Sequence, residues 1–129
     1  MNSSLDTNII MRYIWKDVPG QRERACALLD DEAQTFYISD LVVSEIVFNL
    51  KADHLKRSSI VNVLRHIFAK KNISVSKFIT ETVLPFYESH PALSFVDCYV
   101  AFDAERCDAE PLYTFDKKLA TQHPSAKLL

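Results

Sequence analysis

Short β-forming runs alternate with longer helical stretches along the whole chain, and this alternation limits the fold more than any other feature. The extended start Asn2-Ser3-Ser4 gives way to residues 7 to 16, where Ile10, Met11 and Ile14 recur at helical spacing until Asp17-Val18-Pro19-Gly20 stops them. Residues 21 to 31 (QRERACALLDD) read as a second helix. Thr35-Phe36-Tyr37-Ile38 is a β-forming run, and Ser39-Asp40 then caps the helix LVVSEIVFNLK. Residues 56 to 70 are amphipathic, and Ile73-Ser74-Val75 is a brief strand. A helix is expected from about Ser76 to Ser89, kinked or shortened by Pro85. Ser94-Phe95-Val96-Asp97 opens another helix, Glu110 to Thr114 forms a strand, a short helix starts at Lys117, and Ala126 to Leu129 adds an edge strand.

Strands separated by helices must cross over to pair, which predicts an α/β fold: a short central parallel sheet flanked by helices on both faces. No repeat, low-complexity tract or linker interrupts the pattern, so residues 1–129 read as a single domain. Ligands of such sheets bind at the carboxyl ends of the strands. Asp6 and Asp116 each follow a strand.

Composition removes several functions. The chain has one glycine, Gly20, whereas phosphate cradles of the P-loop and dinucleotide kinds need several. No HExxH, paired CxxC or GxSxG occurs. Cys26, Cys98 and Cys107 are odd in number; on one helix Cys98 and Cys107 would stand roughly 13 Å apart, too far for a disulfide. Three free thiols and no long apolar segment predict a cytoplasmic protein.

Four acids stand out. Asp6 follows the first strand, Glu45 interrupts Val42-Val43-Ser44-Glu45-Ile46-Val47-Phe48, Asp97 lies within Ser94-x-x-Asp97, and Asp116 follows Leu112-Tyr113-Thr114-Phe115. Each has a plain structural explanation. Asp6 and Asp116 suit helix caps, and Ser94-x-x-Asp97 is a capping box. Glu45 is the least easily explained, because an ionised carboxylate among Val, Ile and Phe costs several kcal/mol unless compensated. Four carboxylates in one pocket need a counter-charge, since two at about 4 Å repel by roughly 4 kcal/mol at an effective dielectric near 20. Oxygen-only donors select Mg2+ or Mn2+. Small side chains at Ala101 and Ala104, near the face of Asp97, would leave room for metal and substrate.

The segments LDTNIIMRYI, SDLVVSEIVFNL and SFVDCYVAFDAERCDAEPLYTFDKKL, with the order of four acids over nearly the whole chain, resemble PIN-domain ribonucleases, and among them the VapC-type toxins of toxin–antitoxin pairs. The resemblance implies a metal-dependent endoribonuclease in which Asp6, Glu45, Asp97 and Asp116 coordinate Mg2+ or Mn2+ as the catalytic quartet. Thr7, Asn8 and Thr114 match polar positions that support those carboxylates. It also implies a homodimer and an antitoxin whose C-terminal segment would occlude the acidic pocket with an Arg or Lys. The sequence departs from the family in its polar first strand and in lacking a glycine at Asp108-Ala109-Glu110 before the LxTxD strand.

Charge bears on the substrate. The net charge is −2, yet residues 51 to 71 hold six Lys/Arg against one Asp. A solvated helix face accounts for that segment as well as RNA contact does. Candidate RNA contacts are Lys56, Arg57, Arg65, Lys117 and Lys118. Trp15, Phe48 and Phe68 are expected on the surface as interaction sites, with no membrane involved. Two other functions stay open: an RNA-processing nuclease without an antitoxin, and a catalytically silent binding module. A strand-end DxD phosphatase is disfavoured because Asn8 stands where a second Asp is needed.

Overall fold

The computed structural model describes residues 2–15 and 18–129, so the expected helix end at Lys16 and the stop at Asp17 lie outside the described residues. The chain forms two compact units, Met1–Ser76 and Lys77–Leu129. The first contains β1 (Asn2–Ser4), α1 (Thr7–Ile14), α2 (Gln21–Leu29), β2 (Thr35–Tyr37), α3 (Asp40–Ala52), α4 (Arg57–Phe68) and β3 (Ile73–Ser74). The second contains a π-helical turn (Phe78–Val83), α5 (Leu84–Ser89), α6 (Phe95–Arg106), β4 (Leu112–Thr114), α7 (Lys117–Gln122) and β5 (Ala126–Leu128). Among the described residues, no helix is long and apolar enough to cross a membrane.

The expected parallel α/β pairing is present, and the strands divide into two ladders. In the first unit the order is β1-β2-β3, with Ser3 opposite Phe36 and Phe36 opposite Ile73. In the second, β4 pairs with β5, Tyr113 opposite Lys127. The first ladder explains the polar opening of the chain. All three residues of β1 are exposed at an edge, whereas Phe36 and Ile38, along the middle strand, are buried. Hydration of Asn2, Ser3 and Ser4 therefore carries no burial cost.

Each unit has its own apolar core. Ile10 and Met11 of α1, Leu29 of α2, Val43, Ile46 and Leu50 of α3, and Ile60, Leu64 and Ile67 of α4 are buried in the first. Burying one such side chain contributes about 1.5–3 kcal/mol before entropic costs. In the second, Ile79, Val83, Tyr87, Phe95, Cys98 and Leu119 are buried. The long helix expected from Ser76 to Ser89 is two pieces. Pro85, in the first turn of α5, has no N–H to donate, and the preceding turn widens so that Leu84 N–H reaches the Ile79 carbonyl.

A chain with one glycine must end its helices by other means. After α3, His54 takes a left-handed φ of 66°, its N–H donating to Lys51 O and that of Leu55 to Leu50 O. After α6, Asp108 does the same at φ 54°, with Asp108 N–H on Glu105 O and Ala109 N–H on Ala104 O. Both are Schellman endings with a side chain where glycine is usual. The missing glycine before β4 is thus replaced by Asp108, an aspartate being among the residues that tolerate this conformation.

Candidate functional site

In the first unit, Asp6 stands just past the carboxyl end of β1 and caps α1. Its Oδ1 accepts the N–H of Thr7 at 2.8 Å. Thr7 is 4 % exposed, and its hydroxyl donates to Glu45 Oε2 at 2.8 Å, joining α1 to α3 across 38 positions of sequence. One buried threonine therefore donates to both carboxylates. Asp6 and Glu45 are exposed, and neither makes an ion pair among the described residues.

The exposure of Glu45 corrects the expectation of an apolar setting. Its sequence neighbours Val43, Ile46 and Val47 are buried, but Glu45 lies on the solvent side of α3 with Leu41 and Phe48 one turn to either side. A residue's neighbours in a helix point elsewhere, so an apolar run does not surround the acid within it. Leu41 and Phe48 are 71 % and 72 % exposed, giving this acid an apolar border open to solvent. Of the three aromatics expected at the surface, Phe48 is exposed, while Trp15 and Phe68 are only partly so.

In the second unit the two acids serve their own helices. Asp97 completes a capping box: its N–H donates to Ser94 Oγ at 3.1 Å, and its Oδ2 accepts the Ser94 N–H at 3.3 Å. Ala101, one turn on, is buried, and Ala104 is partly exposed. Asp116 caps α7, its Oδ1 accepting from Lys118 N at 2.8 Å and Leu119 N at 3.3 Å. Thr114 Oγ1 accepts the Asp116 N–H at 2.9 Å, fixing the turn from β4 into α7. Neither acid makes an ion pair among the described residues. Within neither unit do three or more described His, Cys, Asp or Glu side chains form a metal-holding group.

The flanking residues differ. Thr7 touches both carboxylates of its unit and Thr114 holds the backbone of Asp116. Asn8 is exposed and makes no hydrogen bond to Asp6 or Glu45. Lys117 and Lys118 are exposed in the first turn of α7, beside Asp116. Lys56 precedes α4 and Arg65 lies in its last turn, both exposed, with Arg57 partly so. Sequence reasoning missed Arg12 and Arg24, which line a groove with Asn8 on α1 and α2. The signal was available as two periodic pairs, Asn8 with Arg12 and Gln21 with Arg24.

Set beside known protein families, residues 4–122 match the PIN domain. No curated protein matches the chain.

Proposed function

The chain belongs to the PIN-domain family of nucleases, and on that premise we propose that it is a Mg2+- or Mn2+-dependent endoribonuclease acting as the toxin of a toxin–antitoxin pair. The observation that carries the metal reading is the bridge from Thr7 to Asp6 and Glu45. It holds two solvent-facing carboxylates close together without a cation among the described residues to neutralise them. The donors available, carboxylate and hydroxyl oxygens, suit a hard divalent ion. By their motif positions, Asp6, Glu45, Asp97 and Asp116 are the proposed ligands. Such an ion, when bound, supplies Lewis acidity toward a phosphate oxygen and lowers the pKa of a water.

The remaining groups are assigned by their own chemistry. Thr7 keeps Asp6 and Glu45 oriented, and Thr114 keeps the Asp116 turn in place. Lys117 and Lys118, with Lys56, Arg57 and Arg65, are proposed to meet phosphates of the substrate. Phe48 and Leu41, exposed around Glu45, fit a surface that a partner covers. That partner is proposed to be an antitoxin segment lying along α3 and α4, with an Arg or Lys whose positive head neutralises the carboxylates in place of metal. A homodimer is proposed as the active assembly.

The test is cleavage of total cellular RNA by the purified chain with Mg2+, with Mn2+ and with a chelator. Cleavage that needs metal and is lost in Asp6→Asn supports the nuclease reading. Metal-independent cleavage, or full activity in Asp6→Asn, contradicts it. Expression alone separates the finer readings: a toxin arrests growth until its genomic neighbour is co-expressed, and a processing nuclease does not.

A further inference from the structure

The groove along α1 and α2, about 530 Å³, is not accounted for by the acid motifs. Its rim is polar. Asn8 and Arg12 stand about one turn apart on α1, and Gln21 and Arg24 line it from α2. Ile9 and Leu28 supply apolar surface, and no Asp or Glu lines it. A second large groove of this unit, about 560 Å³, has Arg22, His66 and also Asp30 in its lining. Of these two grooves, the first alone is purely cationic in its charged lining.

Its position matters as much as its charge. The groove starts at Asn8, the residue after Thr7, which donates to both Asp6 and Glu45. Arg12 is held in place, its Nε donating to Gln21 Oε1 at 2.8 Å. Arg24 is exposed, and its Nε makes one long bond, 3.3 Å, to Gly20 O. Its terminal nitrogens have no partner among the described residues. Two carboxylates repel a polyanion, so a strand reaching them needs cations beside them to offset that repulsion.

We infer that this groove seats the sugar–phosphate backbone of single-stranded RNA on one side of the bond to be cut. Arg12 and Arg24 pair with phosphate oxygens, whose geometry a guanidinium fork matches. Asn8 and Gln21 offer amide hydrogen bonds, and Ile9 and Leu28 lie under the sugars. An acidic protein segment would find the same arginines, but Asp6 and Glu45, bonded to the residue that precedes Asn8, would repel it with no reaction in return. The inference rests on the nuclease reading and extends it to the path of the substrate.

The experiment uses the full chain and a labelled single-stranded RNA of mixed sequence, about 12 nucleotides long, within the usual span of such sites. Binding is measured in chelator across a salt series for wild type, Arg24→Gln and the double variant Arg12→Gln/Arg24→Gln. Affinity is expected to fall about threefold in the single variant and about tenfold in the double. The slope of log K against log salt should flatten by about 0.7 per lost phosphate contact. With Mn2+, KM should rise while kcat holds. Because Arg24 is exposed, its variant should melt as wild type does, which separates lost contact from lost fold.

Unchanged affinity and slope in both variants, with a wild type that binds and cleaves, overturn the groove and leave the nuclease reading intact. Arginine-dependent binding by a wild type that never cleaves upholds the groove and overturns that reading. A wild type that binds no RNA overturns both. Variants that lose oligoglutamate binding yet keep RNA binding assign the groove to an acidic protein segment, against the inference.

Discussion

The two units hold their motif acids in different ways. In the first, Asp6, the cap of α1, and Glu45 of α3 lie far apart in the chain and are joined by one buried residue, Thr7, through its N–H and its hydroxyl. In the second, Asp97 and Asp116 are each satisfied within four residues by the backbone of the helix they begin. The first arrangement exists only once α1 has packed on α3. The second forms with the local helix. A carboxylate that caps its own helix has a sufficient structural reason to be there. Glu45 is exposed and caps nothing; its one hydrogen-bonded role among the described residues is to accept the Thr7 hydroxyl. The acid with the least local reason for its place is therefore the strongest single pointer to chemistry.

Charge-neutralising substitutions should produce the largest effect. Asp6→Asn, Glu45→Gln and Asp97→Asn should each reduce RNA cleavage at least about a hundredfold, a loss of about 2.7 kcal/mol in transition-state stabilisation. Melting temperatures should hold or rise, because Asn still caps and a repulsion is relieved. Asp116→Asn should be milder. Full activity in Glu45→Gln would remove the contrast between the units.

Next in size, Thr7→Val should slow cleavage about 10–100-fold, as loss of an orienting hydrogen bond behind metal ligands typically does. The isosteric change keeps the buried volume, and Glu45 remains hydrated, so stability should change little. Thr114→Val should affect cleavage less, since Thr114 holds backbone and not a carboxylate. Equal losses in the two variants would break the comparison.

Alanine substitutions sharpen the same contrast through stability. Asp116→Ala removes an acceptor of two helix N–H groups and should cost about 1 kcal/mol by thermal melting. Glu45→Ala should cost less, since water admitted beside the shortened, exposed side chain takes over the bond from the Thr7 hydroxyl.

A buried histidine gives the second unit a pH dependence of its own. His123 is 1 % exposed, edge-on to Phe86 and Phe102; its Nδ1 accepts the Ser125 N–H at 3.0 Å, and its Nε2 has no partner among the described residues. Burial lowers its pKa from the usual 6.5, outweighing the attraction of Glu105 and Glu110 for the proton, with His90 lowering it further. The neutral ring is thus favoured in the fold. Stability present above about pH 6.5 should be lost as pH falls through the depressed value, the unfolded chain taking up the proton first. Melting between pH 7.5 and 5 should show this decline in wild type, and His123→Leu should show less of it. Parallel pH profiles would contradict the assignment.

The smallest effect concerns helix endings. His54→Gly and Asp108→Gly should each stabilise by about 1 kcal/mol, because both positions hold left-handed backbone that a side chain strains.

Local signals were legible in the sequence, and tertiary ones were not. The caps Asp6, Ser39, Ser94 and Asp116 could be read because a cap and its helix are neighbours in the chain. Alternation gave the parallel pairing for the same reason. The exposure of Glu45 was misjudged because burial belongs to a helix face rather than a run of letters. The division into two ladders depends on which strands meet, and nothing within a three-residue strand specifies that. His54 and Asp108 carry no glycine to announce a left-handed turn. Arg12 and Arg24 each had a periodic partner in the sequence, but that the two share a groove depends on α1 packing against α2.

The most direct test of the central claim, that Asp6 and Glu45 joined through Thr7 hold a divalent metal, is the shift in melting temperature produced by Mn2+. Binding to the folded chain alone stabilises it by about 2.7 kcal/mol at a hundred times Kd. Wild type should melt several degrees higher with Mn2+, Asp6→Asn and Glu45→Gln should show no shift, and Thr7→Val should need more metal for the same shift. An equal shift in all four proteins, or none in wild type, would contradict the claim.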